Sequence, residues 1–214
     1  MLLAILVTIP LGIYQAVTRN RLGDHIATGL ELTVYAMPDF LFYLIAVQIL
    51  AFTLPIFSYQ ASQSTSLPTV MADWHAMTLP ITCFAVVIIA ALSRYMRSTA
   101  IDTLDQDYIN AARAKGLPER LVLSRHLLRN ACLPMITLIG LSIPGLLAGN
   151  LFIERIFNYN GLGLLFTTSL QDADYPVLLA YTLVGAVLTV LGNLLADIVL
   201  TMADPRLRLT SPSQ

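Results

Sequence analysis

The side chains best suited to chemistry are few and scattered. His25, His75 and His126 lie far apart in the sequence, so they cannot form the closely spaced ligand set of a metal site. The two cysteines, Cys83 and Cys132, sit inside apolar runs and imply no disulfide framework. A single lysine, Lys115, follows the alanine pair by a short interval and precedes one glycine. A phosphate-binding loop needs its lysine after a glycine-rich turn, and none is present. GxSxG, HExxH and CxxC are also absent, which leaves enzymatic catalysis without a foothold and calls for no metal or cofactor. What remains is a small set of polar groups inside apolar stretches: Glu31, Asp39, Gln48, Asn150, Asn193 and Asp197. Ionisable or amide side chains at such places are costly and default to functional hypotheses.

The surrounding composition explains why those groups matter. Of 214 residues, 57% are hydrophobic and only 12% are charged. Soluble domains are about 45–50% apolar and about 25% charged. The chain is therefore expected to be an all-α, polytopic transmembrane helical bundle forming a single domain. Five apolar stretches are long enough for spans of roughly 20 residues. They run over 1–17, 30–54, 76–92, 131–153 and 176–203. Pro10, Pro38, Pro80, Pro134 and Pro144 fall inside them, which a membrane bundle tolerates when neighbours satisfy the freed carbonyls.

Charge placement orients the spans. Of the 12 lysines and arginines, all but Arg155 lie in residues 18–29, 93–130 or the tail beyond 203. Five spans place those three segments on one face, which the positive-inside rule makes cytoplasmic. The C-terminus is then inside, and Met1 lies on the outer face. Glu31, near a cytoplasmic end, is expected to reach water. The polar run 60–66 is an outer loop. In the segment after Glu154, Phe157, Tyr159 and Tyr175 read as interfacial belt residues.

Within the basic face, residues 102–130 are patterned. Asp102 can cap a helix with Asp105 and Asp107 in its first turn. Leu104, Tyr108, Ala111, Ala112 and Lys115 follow at helical spacing. Gly116 stops the helix, and Pro118 opens a second one beside Glu119. The product is helix, glycine turn, helix. It reads either as a docking knob for a cytoplasmic protein or as an amphipathic hairpin on the membrane surface.

These residues also carry a resemblance. The stretch Ala112-Arg113-Ala114-Lys115-Gly116-Leu117, then Arg129-Asn130-Ala131 and Leu133-Pro134, resembles the EAA-type coupling loop of ABC importer permeases. The nearest branch is the dipeptide, oligopeptide and nickel group. Glu154, Phe157, Gly161-Leu162-Gly163, Asp174-Tyr175-Pro176, Asn193-Leu194, Asp197 and Asp204-Pro205-Arg206 extend the likeness over nearly the whole chain. Asn110 departs from the glutamate for which the loop is named, and Asn160 stands where the branch often has proline. The spacing from Gly116 to Pro134 is longer than in the general motif.

The resemblance implies a pore-forming permease subunit of the bacterial cytoplasmic membrane that moves peptides or a similar small solute. A nickel permease of the same family and a non-transporting membrane scaffold or receptor are the alternatives. The implied partners are ATP-binding cassette subunits, a second permease that is a paralogue, an extracellular solute-binding protein and membrane lipid, with no nucleic acid. ATP hydrolysis would reside in the cassettes. Asn110, Ala111, Ala112, Arg113, Lys115, Gly116, Arg120 and Arg125 are the implied cassette contacts, with Ala111, Ala112 and Gly116 giving the close fit. Asp39, Gln48 and Asn150 are the candidates for the substrate path; Asp39 could attract a peptide's amino group or bond to a partner subunit. Family members begin with one more span, so the chain is expected to be short at its N-terminus.

Overall fold

The computed structural model describes residues 1–63, 67–147 and 149–203. Asp204-Pro205-Arg206, Arg208 and the end of the polar run 60–66 lie outside the described residues. Every regular element is helical: α1 (Leu2–Val17), α2 (Leu22–Ala36), α3 (Asp39–Val47), α4 (Leu67–Ala72), α5 (Trp74–Leu104), α6 (Asp107–Ala114), α7 (Glu119–Leu121), α8 (Leu128–Leu147), α9 (Leu151–Ile156), α10 (Leu162–Gln171) and α11 (Tyr175–Ala203). A π-wound turn, Gln48–Thr53, extends α3, and another, Val122–Leu127, joins α7 to α8.

By length and composition, Trp74–Leu104 and Tyr175–Ile198 can each cross a membrane, and the broken pair Leu22–Ala36 plus Asp39–Thr53 makes a third if counted as one span. The expected five stretches are thus fewer clear spans. The first is a shorter apolar helix, Leu2–Val17. The second is broken because Pro38 takes an extended conformation at φ −58° and ψ 134°. Proline also pushes its predecessor out of the helical region, so α2 stops at Ala36 and α3 starts afresh. The fourth ends at Leu147 rather than Ile153, and Asn150 opens the separate short helix α9.

The chain divides into two compact units. The first comprises residues 1–36, 88–140 and the end of α11 from Asp197. Its core is Ala16, Met96, Ala100, Leu127, Ala131 and Met135. Gly12 allows α1 to meet α5, since a Cβ there would come within 2.6 Å of the Met96 side chain. Glu31 is only 6% exposed, and its Oε1 accepts from Gln15 Nε2 at 2.9 Å. The expectation that Glu31 reaches water fails because α1 covers it. Asp24, in the first turn of α2, accepts a two-pronged contact from Arg97 of α5, Nε to Oδ1 and a terminal nitrogen to Oδ2, both at 2.8 Å.

The second unit comprises residues 37–87 and 141–196. Tyr43, Ala46, Val47, Ala61, Leu79, Cys83 and Phe157 form its core. Phe157 is completely buried there and is not a belt residue; only Tyr175 of the three is strongly exposed. The Ala61 amide donates to the Phe157 carbonyl at 2.8 Å, and Gln63 Nε2 donates to the Asn158 carbonyl at 2.6 Å. Glu154 organises the turn between α9 and α10. Its Oε1 accepts from the Asn150 amide and its Oε2 from the Leu164 amide, each at 3.0 Å.

Candidate functional site: the basic hairpin

The basic segment forms the expected hairpin, with shifted ends. Helix α5 continues through Asp102 to Leu104, so Asp102 caps nothing and Asp105 lies outside α6. Partial burial of Ile101 and Leu104 against the first unit's core carries α5 past Asp102. Gln106 is the extended residue before α6, and Asp107 is the only acid in its first turn.

α6 closes in a Schellman arrangement. The Gly116 amide donates to the Arg113 carbonyl at 2.9 Å, and the Leu117 amide reaches the Ala112 carbonyl at 3.4 Å. Gly116 has φ +77°, a left-handed conformation that glycine adopts without Cβ strain. Pro118 is extended and precedes the second helix, whose first residue is Glu119, one position later than the sequence suggests. Across the bend, Arg113 holds Glu119 with its Nε at 3.2 Å and a terminal nitrogen at 2.7 Å. That pairing lowers the Glu119 carboxyl below its ordinary range and raises Arg113. Asn130 Nδ2 donates to the Tyr108 hydroxyl at 3.0 Å, tying α8 back to α6.

Two faces result. Ile109, Ala112 and Val122 are buried, with Leu104 and Leu117 packed against them. Asn110, Ala111, Arg113, Lys115, Gly116, Arg120 and Arg125 are exposed. Ala112 is 6% exposed and packs in the hairpin's own core with Ile109 and Val122. A Cβ on Gly116 would meet nothing within 4 Å, so in this chain only its backbone angle requires glycine.

The substrate-path candidates all belong to the second unit. Asp39 is exposed in the first turn of α3. Gln48 is exposed where the π-wound turn begins. Asn150 is half-buried and engaged as a cap, its side-chain oxygen accepting from the Ile153 amide at 3.2 Å. The Phe40 and Phe152 rings, 5.7 Å apart, bring α3 and α9 together, so Asp39 and Asn150 stand on neighbouring elements. No described group of three or more His, Cys, Asp or Glu could hold a metal ion. Sequence reasoning gave no role to Asp24 or Arg97. Their pairing spans 73 residues, and no local pattern signals it.

Comparison with known proteins gives a consistent result. The family described as "Binding-protein-dependent transport system inner membrane component" matches residues 8–209. The oligopeptide transport system permease protein AppB of Bacillus subtilis is 41% identical over 207 residues, covering 96% of this chain and 66% of that protein. A putative peptide permease protein of Brucella ovis is 35% identical over 214 residues, covering 97% of this chain and 66% of that protein. The glutathione transport system permease protein GsiC of Salmonella typhi is 35% identical over 209 residues, with 97% and 65% covered. The chain therefore spans just under two thirds of the length of these relatives.

Proposed function

Because the chain belongs to the family of binding-protein-dependent transport system inner membrane components, we propose that it is the pore-forming permease subunit of an ATP-driven importer of peptides. The relatives named for oligopeptide and glutathione transport support a peptide-like cargo over nickel. In this reading the chain performs no catalysis, and separate cassette subunits hydrolyse ATP. A second permease completes the path, a solute-binding protein delivers cargo outside, and lipid covers the apolar helices. The arginine-rich segments, and with them the C-terminus, face the cytoplasm.

The observation that carries this reading is the closed hairpin. Ile109, Ala112 and Val122 are buried within it, which leaves a mostly polar ridge on α6 and the bend for an external partner. A membrane-surface hairpin would instead need an apolar outer face. Rigid-body movement of a cassette holding that ridge would be transmitted into α5 and α8. Asn110, Ala111, Arg113, Lys115, Gly116, Arg120 and Arg125 would supply the contacts. Asp39 would lie along the path.

The test is co-purification of the solubilised chain with an ATPase subunit, followed by uptake measurements on Ala111→Trp and Gly116→Trp. Both variants should lose uptake by about tenfold or more. Ala111 has ordinary helical geometry, so its variant separates lost docking from backbone strain. Full uptake with Ala111→Trp would refute the docking role.

A further inference from the structure

The first unit contains a buried ion pair for which the permease reading has no use so far. Asp24 is 1% exposed, and its carboxylate is fully engaged. Besides the two Arg97 contacts, Oδ2 accepts from the Asn20 amide at 3.0 Å and Oδ1 from the Thr28 hydroxyl at 3.3 Å. Asn20 sits at φ +67°, so the turn between α1 and α2 bends to present its amide. One carboxylate thus gathers the α1–α2 turn, α2 and α5.

Arg97 occupies a telling place on α5. Its neighbours Met96 and Ala100 are completely buried against Leu127, Ala131 and Met135, on the helix returning from the hairpin. The Thr99 hydroxyl also donates to the Ala131 carbonyl at 3.2 Å. One side of α5 therefore grips the returning helix while Arg97 grips α2. Two turns further on, α5 ends and the hairpin begins. A further contact between α2 and α5 is the Arg94 guanidinium over the Tyr35 ring at 4.5 Å, an exposed contact.

A planar fork resists sliding and rotation in a way a point charge does not. We propose that Asp24 and Arg97 are positioning residues for transport: their fork is the joint that passes hairpin movement from α5 into α1 and α2. This rests on the permease reading. It goes beyond that reading in naming the route by which docking reaches the first two helices.

The test uses the chain assembled with its partner subunits in proteoliposomes, with tri-alanine as the transported probe. Tri-alanine moved per ATP hydrolysed is measured for wild type, Asp24→Asn, Arg97→Lys and the exchange Asp24→Arg/Arg97→Asp. Amide exchange of Ile109–Arg113 is followed in parallel. Arg97→Lys keeps the charge but loses the fork, so it should lower the ratio by about tenfold. Asp24→Asn should do the same. Cassette co-purification and hairpin protection should stay at wild-type levels, and the exchange variant should recover part of the ratio. An unchanged ratio in both single variants overturns the joint. Loss of hairpin protection in them also overturns it, because the pair would then only stabilise the fold. A wild-type chain without ATP-driven uptake or an ATPase partner would instead refute the permease reading itself.

Discussion

Asp24 in the first unit and Glu154 in the second are buried carboxylates with both oxygens engaged, and the two are stabilised by opposite means. Asp24 in the first unit is met by a cation, through a two-pronged arginine contact. Glu154 in the second unit, 7% exposed, receives two backbone amides, from Asn150 and Leu164. Glycines line its surroundings. A Cβ on Gly149 would come within 2.8 Å of Oε1, one on Gly163 within 3.1 Å of Oε2, and one on Gly161 would overlap the carboxylate. The first arrangement joins distant helices by charge and leaves room for leverage. The second closes a local turn by fitting backbone around an acid, much as helix N-termini favour anions. A carboxylate can therefore serve as a long-range tie or as a local template. What decides is whether its donors come from a remote side chain or from nearby main chain.

Removing each acid tests this contrast most strongly. Asp24→Ala leaves the Arg97 charge behind, and breaking a buried pair in this way costs about 3 kcal/mol or more. Arg97 is 26% exposed on its side chain, which places the expected loss at about 3 kcal/mol, the low end. Glu154→Gln keeps one oxygen but turns an NH2 group toward an amide donor, so about 1.5 kcal/mol is expected. Denaturant unfolding in detergent measures both. A larger loss for Glu154→Gln would invert the comparison and make the amide cradle the stronger tie.

The glycine surround of Glu154 predicts the next effect. Gly161→Ala should cost about 2 kcal/mol, because the added methyl overlaps the carboxylate. Gly116→Ala meets no neighbour and should cost only the left-handed strain, about 1 kcal/mol. The two differ in coupling as well. Combined with Glu154→Ala, the Gly161→Ala penalty should fall by half or more, whereas the Gly116→Ala penalty should not change. Equal penalties in both backgrounds would mean that Gly161 answers to backbone geometry and not to the acid.

The two regions also differed in how much the sequence could reveal. The hairpin was legible because its signals are local: Gly116 at the bend, Pro118 after it, and apolar positions at helical spacing. Its inner and outer faces were only half legible. Ala111 and Ala112 read alike as small residues, yet packing by Ile109 and Val122 turns Ala112 inward. The start of α6 was misplaced because partial tertiary burial of Ile101 and Leu104 outweighed the capping preference of Asp102. The break at Pro38 was visible as a proline, but not that it would separate two helices. Glu154 and the glycine pair Gly161 and Gly163 were recognisable as a pattern without a physical role; the role emerges only when Leu164 folds back onto the acid. Asp24 and Arg97 had no signal, since a contact across 73 residues leaves no periodicity.

A third acid, Glu119, falls between the two buried cases and should show the smallest effect. Like Asp24 it is held by an arginine fork, but it is 53% exposed and its partner Arg113 is 40% exposed. Solvent screens such a pair, so its worth is about 0.5 kcal/mol. The sign follows from the lowered carboxyl: the folded hairpin prefers Glu119 ionised more than the unfolded chain does. The contribution is complete above the ordinary glutamate value of 4.5 and is lost as the pH falls through the lower folded value. Amide exchange of Gly116 and Leu117 should therefore accelerate modestly, beyond its intrinsic pH dependence, below pH 4.5 in wild type but not in Glu119→Gln. High salt should shrink the difference between the two proteins, as exposed charges demand. If salt leaves it untouched, the Arg113–Glu119 fork behaves like the buried Asp24 pair, and exposure does not separate the two arginine-held acids.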